Sequence, residues 1–216
     1  MQSGRTGHIQ DNITMKTTLN KLILIICLCV VVSSFADVSP HSIPQDIVEN
    51  FHATLLDIMQ NSTTMEYQER FETLTEIIPN TFNIPVISQV ILGRYWKELT
   101  ETQQSEFIAL YEELITATYA DRFDGFNNEV FSTNTVEQLN RGRLLVKTEL
   151  NKINGEIISL DYLMSKSNDK WMVISVIADG ANDISIKRGE YSDVIKNDGY
   201  DALLIKIQKK IDEASN

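Results

Sequence analysis

Around Glu129 the hydrophobic period of this chain changes, and after Gly180 it changes back. Before the first switch apolar residues recur every three to four positions, the spacing of a helix that buries one face. After it they alternate, the spacing of a strand with one face sheltered from water. Helices, then strands, then helices again leave few packings open. The order predicts an α+β domain in which helices pack on one face of a twisted antiparallel β-sheet.

In the first helical region, Ile47, Phe51, Leu55, Ile58 and Met59 place an amphipathic helix over 44–60. A second is expected over 65–77, with Phe71, Leu74, Ile77 and Ile78 inward and Pro79 as its end. The apolar stretch from Phe82 to Leu92 reads as a short buried helix before Gly93. Thr100 and Gln103 have the spacing of a capping box. They start a long helix that runs to about Asp124, with Phe107, Tyr111, Leu114, Thr118 and Tyr119 in its apolar stripe and Gly125 ending it.

Leu144, Val146, Thr148 and Leu150 mark one inward face of a strand region over 136–150. Asn154-Gly155 is a hairpin turn signal, the return strand covers 156–164, and Ser167-Asn168-Asp169 makes the next turn. Strict alternation over 170–176 puts Trp171, Val173 and Ser175 on one face and Met172, Ile174 and Val176 on the other. Helices follow over 184–196, closed by Gly199, and over 201–214.

The beginning of the chain does not read as part of this fold. Residues 1–14 are polar and aperiodic, so Met15 is the expected start of translation; it precedes Lys16, Lys21 and an apolar run over 22–32. Eleven residues span about 16 Å as a helix, against a hydrocarbon core of roughly 30 Å. With small residues at Ser34 and Ala36, the run predicts a cleaved signal peptide, residues 1–36, and a single exported domain over 37–216. Cys27 and Cys29 would leave with it, so disulfides and thiolate chemistry would be absent from the mature form. The loss takes away three basic residues and one acidic residue, moving the net charge from −11 to −13. Such a charge argues against a nucleic-acid partner and disfavours lasting attachment to anionic lipid.

Motifs for chemistry are few. Outside the leader the histidines are His41 and His52, neither with an HxxxH partner, so no metal site is expected; His52 reads as a helix-surface residue. There is no G-x-S-x-G, P-loop or G-x-G-x-x-G sequence. Glu112/Glu113 and Asp179/Asp183 read as solvated pairs. Asp161 beside Tyr162 is the strand pair that an isomerase or dehydratase pocket could use, but neighbours on a strand point to opposite faces.

Several segments together carry a resemblance. Leu92-Gly93-Arg94-Tyr95-Trp96, Leu99-Thr100 with Gln103, Thr118-Tyr119-Ala120-Asp121-Arg122-Phe123, Trp171 with Val173, Val176 and Gly180, and Lys187-Arg188 with Tyr191, Ile195, Gly199 and Leu203 resemble the MlaC and toluene-tolerance family. The likeness runs over about 45–211. Where that family usually has Gly-Val-Ser this chain has Gly180-Ala181-Asn182, and Asp183-Ile184-Ser185-Ile186-Lys187-Arg188 is similar to the hopanoid-associated HpnM branch.

The resemblance implies a monomeric periplasmic carrier of phospholipid or hopanoid, without cofactor or turnover. Its implied partners are an inner-membrane ABC transporter complex and an outer-membrane lipoprotein complex. It also implies an apolar pocket between the helices and the sheet. Leu114, Thr118 and Tyr119 on the long helix are its expected lining, with Val146, Leu160, Tyr162, Met172 and Ile174 on the strands and Val90 on the short helix. A pocket enzyme and a protein-binding adaptor without a pocket are the alternatives.

Overall fold

In the computed structural model the switch of period becomes a change of layer. The chain divides into two units, Met1–Val38 and Ser39–Asn216, and the structure describes residues 42–215, all in the second. The expected leader and its cleavage after Ala36 therefore lie outside the described residues. Among the described residues four helices come first: α1 (Ser42–Gln60), α2 (Tyr67–Thr81), α3 (Ile84–Leu92) and, after a 3-10 turn (Gly93–Glu98), α4 (Glu101–Arg122). The strands β1 (Val130–Gln138), β2 (Leu144–Asn151), β3 (Ile157–Ser167), β4 (Lys170–Ala178) and β5 (Ala181–Asn182) follow, then α5 (Asp183–Asp198) and α6 (Tyr200–Ala214). The strands pair in sequence order, each antiparallel to the next. This is the α+β architecture that the periods predict.

Local chemistry explains most boundaries. At the start of α4 the Thr100 amide donates to Gln103 Oε1 at 3.0 Å and the Gln103 amide donates to Thr100 Oγ1 at 3.3 Å, satisfying two helix-end donors reciprocally. Asn83 caps α3 by accepting from the Val86 amide, and Asn182 caps α5 by accepting from the Ser185 amide. Pro79 does not end α2, which continues to Thr81 with Pro79 inside it. Both Pro79 and Thr75 are exposed, so water can serve the Thr75 carbonyl that the missing N–H would have bonded.

Two expectations for the sheet are corrected. The region over 136–150 is not one strand: Arg141 and Gly142 both take positive φ, 63° and 66°, reversing the chain between β1 and β2. In β4 the register shifts, with Met164 paired to Val173 and Leu163 to Ser175, which leaves Ile174 without a partner. This extra residue is a β-bulge, and a bulge changes the phase of the alternation. Val173 faces the helices before it, and Val176, paired with Tyr162, does so after it.

The helices sheathe one side of the sheet. α1 lies over β1, β2 and β4, while α4 is flanked by α2, α3 and α6. Thr116, Ala117 and Ala120 of α4 are buried along with Phe107, Tyr111 and Leu114, and small side chains there let helices approach closely. At the end of α3, Gly93 has φ +56°, and a Cβ on it would lie 3.1 Å from the Arg188 guanidinium. Two segments far apart in sequence thus meet at a position where only glycine fits without strain.

Candidate functional site

Between α4 and the inward face of the sheet lies a cavity of about 820 Å³. Its inner end is built from residues that see almost no water: Met59 of α1, Phe82, Ile87 of α3, Tyr111 of α4 and Tyr162 of β3. Aromatic edges pack this end, with Phe51 edge-on to Phe82 at 5.2 Å and to Tyr119 at 5.1 Å. From there the lining runs outward over Leu114, Thr118, Leu150, Ile158, Leu160 and Val176. At the outer end the lining residues Arg122, Asp124, Phe126, Asp183 and Ile186 are exposed, so this is the mouth.

The elements converge on that mouth by their ends. α4 and β4 finish there, β3 and α5 begin there, and the β2–β3 turn contributes Lys152. Asp179 and Gly180, with φ of 49° and 79°, turn β4 tightly into β5, and the α5 segment beginning at Asp183 then closes one side. The sequence reading takes the chain from that turn straight into helix; the short strand β5 intervenes.

Polar groups divide by depth. Thr118 Oγ1 donates to the Leu114 carbonyl at 2.7 Å, so the helix itself satisfies the hydroxyl and its methyl group adds to the apolar wall. Burial pushes the Tyr119 and Tyr162 hydroxyls well above their ordinary pKa, which keeps both neutral. Charges gather at the mouth: Arg122, Lys152 and Lys187 against Asp124, Glu129 and Asp183. Lys187 pairs with Asp183 at 2.8 Å, Lys152 with Glu156 at 3.1 Å, and the Glu129 carboxylate accepts from the Asn127 amide. The site is an apolar chamber whose mouth carries three cations and three anions beside the exposed apolar side chains of Phe126 and Ile186.

The structure brings together Leu114, Thr118, Tyr119, Leu160 and Tyr162 as lining residues. It places the other four expected residues elsewhere. Val90 is 42% exposed, because α3 turns Ile87 and Ile91 inward and Val90 falls on its opposite side. Val146 is fully buried, paired to Val136 and Tyr162 and closed over by packed side chains instead of open space. Met172 and Ile174 do not line the cavity: Met172 lies on the outward side of β4 beside core-facing Val173, and Ile174 is the bulge residue. Val176 takes the place expected of Ile174. Leu150 and Ile158 were legible as inward positions of their strands, whereas Phe126 and Ile186 carry no signal in the sequence beyond being apolar.

His52 is also corrected. It is 4% exposed, hydrogen-bonded through Nε2 to the Tyr162 hydroxyl at 2.8 Å and stacked on Phe131 with ring centroids 4.1 Å apart. Burial, opposed in part by Glu49, lowers its pKa to about 4. Tyr162 thus finds its partner in His52, while Asp161 faces the other side of the sheet, paired with Lys147 and Ile177. Among the described residues no group of three or more His, Cys, Asp or Glu side chains could hold a metal ion, and no helix is long and apolar enough to cross a membrane.

The family model described as MlaC protein matches residues 49–209. The toluene tolerance protein Ttg2D of Pseudomonas putida is 21% identical over 162 residues, spanning 73% of this chain and 75% of the relative. The solved structure of a phospholipid-binding protein from Ralstonia solanacearum, in complex with a phospholipid, superimposes with a TM-score of 0.70 at 21% identity. That likeness covers 80% of this chain and 99% of the other, and it shows a shared fold.

Proposed function

The chain belongs to the MlaC family, and from that premise we propose that it is a periplasmic carrier that takes the acyl chains of a phospholipid into the α4–sheet cavity. The proposed cycle moves lipid between inner and outer membranes as the soluble component of an ABC transport system. The observation that carries this reading is an 820 Å³ apolar chamber that is open at one end. At about 820 Å³ the chamber lies toward the upper end of the range for ligand pockets, roughly 300–1,000 Å³, large enough to take acyl chains.

The energetics suit a carrier. Exposing a ~16-carbon chain to water costs about 0.8 kcal/mol per methylene, roughly 12 kcal/mol in all. Transfer from bilayer to an apolar chamber avoids most of that cost and is nearly neutral, so cargo can be released as well as taken up. No bond is made or broken, in keeping with a neutral Tyr162 held by His52 while Asp161 faces the other side of the sheet.

One observation favours a hopanoid cargo as a second reading. The segment similar to the hopanoid-associated branch supplies Asp183, Ile184, Ile186 and Lys187 to the cavity wall. Native mass spectrometry with lipid extraction, on protein purified from its own periplasm, tests both. Stoichiometric phospholipid is the expected result, hopanoid would favour the second reading, and protein that emerges empty and cannot be loaded from vesicles would refute a carrier.

A further inference from the structure

Large apolar side chains are exposed at eight positions among the described residues, and five of them gather at one end of the fold. Phe126 and Ile186 line the mouth itself. Val130 begins β1, paired to Asn151, and Asn151 is paired to Ile157 at the start of β3. Ile153 sits in the turn between Lys152 and Glu156, closed by the Lys152 amide donating to the Glu156 carbonyl. Their exposures, from 39% for Phe126 to 64% for Ile153, are high for side chains of this type. Such a concentration marks a surface that meets another apolar phase.

We propose that this rim docks on a lipid bilayer, seating the mouth of the cavity directly against the membrane surface. Two observations select a bilayer as the occupant. The rim is continuous with the chamber, since Phe126 and Ile186 belong to both, so an acyl chain leaving the bilayer would meet apolar side chains at the mouth as well as inside it. Charge also selects it. The chain carries 30 acidic and 19 basic residues, yet three cations and three anions share the mouth. An anionic surface repels the molecule as a whole but repels the charge-balanced lining of the mouth less than it would a patch of the chain's average charge, which favours approach by this end. The acidic remainder keeps contact transient, as release requires.

The proposal rests on the carrier reading, and the experiment separates the two. Transfer of a fluorescent phospholipid is followed between protein-free vesicles of phosphatidylethanolamine and phosphatidylglycerol, and bound lipid is measured on the same samples. The double variant Ile153→Asp with Ile157→Asp alters the rim without touching the cavity wall. It should keep its lipid and lose transfer by roughly tenfold or more, as charges replace two side chains meant for an apolar phase. Ile205→Asp, an exposed apolar position on α6, should transfer like the wild type.

Unchanged transfer in the double variant, or an equal loss in Ile205→Asp, would overturn the docking surface. So would a lipid-loaded wild type that transfers nothing between protein-free vesicles, which would assign the rim to a protein partner. A wild type that never holds lipid would instead bring down the carrier reading itself.

Discussion

His52 shows how much one residue's meaning depends on its surroundings. Its ring is sandwiched against Phe131 and tied to Tyr162, and burial holds its pKa near 4 instead of the usual 6.5. The unfolded chain therefore binds a proton in a range where the folded one does not. Stability contributed by the neutral ring is full above pH 6.5, falls as pH drops through 6.5 and levels off below about 4. The total is about 3 kcal/mol, with about 2 kcal/mol gone by pH 5. In His52→Phe the stacking can persist, but the buried Tyr162 hydroxyl loses its partner at a cost of roughly 1–3 kcal/mol. Urea unfolding at pH 7.5 and pH 5 should show the variant less stable at pH 7.5 and less sensitive to acid. A wild type and variant that lose the same stability between those pH values would contradict the assignment.

Among the elements, α4 carries the site, and its last turn is held by a residue from another helix. Arg70 of α2 is 9% exposed; its Nε donates to the Ala120 carbonyl at 2.9 Å and its Nη1 to the Met65 carbonyl at 2.8 Å. A cation at a helix C-terminus also meets the negative end of the backbone dipole. Replacing Arg70 by Met should cost about 2 kcal/mol, lowering the melting temperature by roughly 4–8 °C. Arg70→Lys, which cannot form the fork, should recover only part of it. Amide hydrogen exchange should quicken over 119–123, the turn that places Tyr119 and Arg122. Protection there equal to wild type would mean that α4 ends firmly without this tie. The start of α4 was legible from Thr100 and Gln103 because a capping box is local; the Arg70 tie joins residues fifty positions apart.

For the molecule as a whole, the division between core and chamber is what function turns on. Val146 and Leu160 both sit on inward faces of neighbouring strands, yet Val146 is sealed in the core and Leu160 borders open space. Val146→Arg should prevent folding, because an unpaired charge in a packed interior has no way out. Leu160→Arg should fold, since Leu160 pairs with exposed Ala178 near the mouth and a long side chain can reach water. It should nonetheless hold little lipid. Thermal melting and bound-lipid content on both variants check this, and a folded Leu160→Arg with full lipid content would move the binding site elsewhere.

The order of layers, the α4 cap, the Asn154-Gly155 hairpin and the inward phase of β2 and β3 all followed from the amino-acid sequence. Each depends on neighbours within a few residues or on a simple period. Tertiary structure alone decided that Val146 is core while Leu160 is wall, that a bulge at Ile174 hands the inward place to Val176, and that His52 is buried. Periodicity reports which side of an element is sheltered from water, and a packed neighbour and a hollow shelter it equally well. Only the placement of α4 over the sheet distinguishes one from the other.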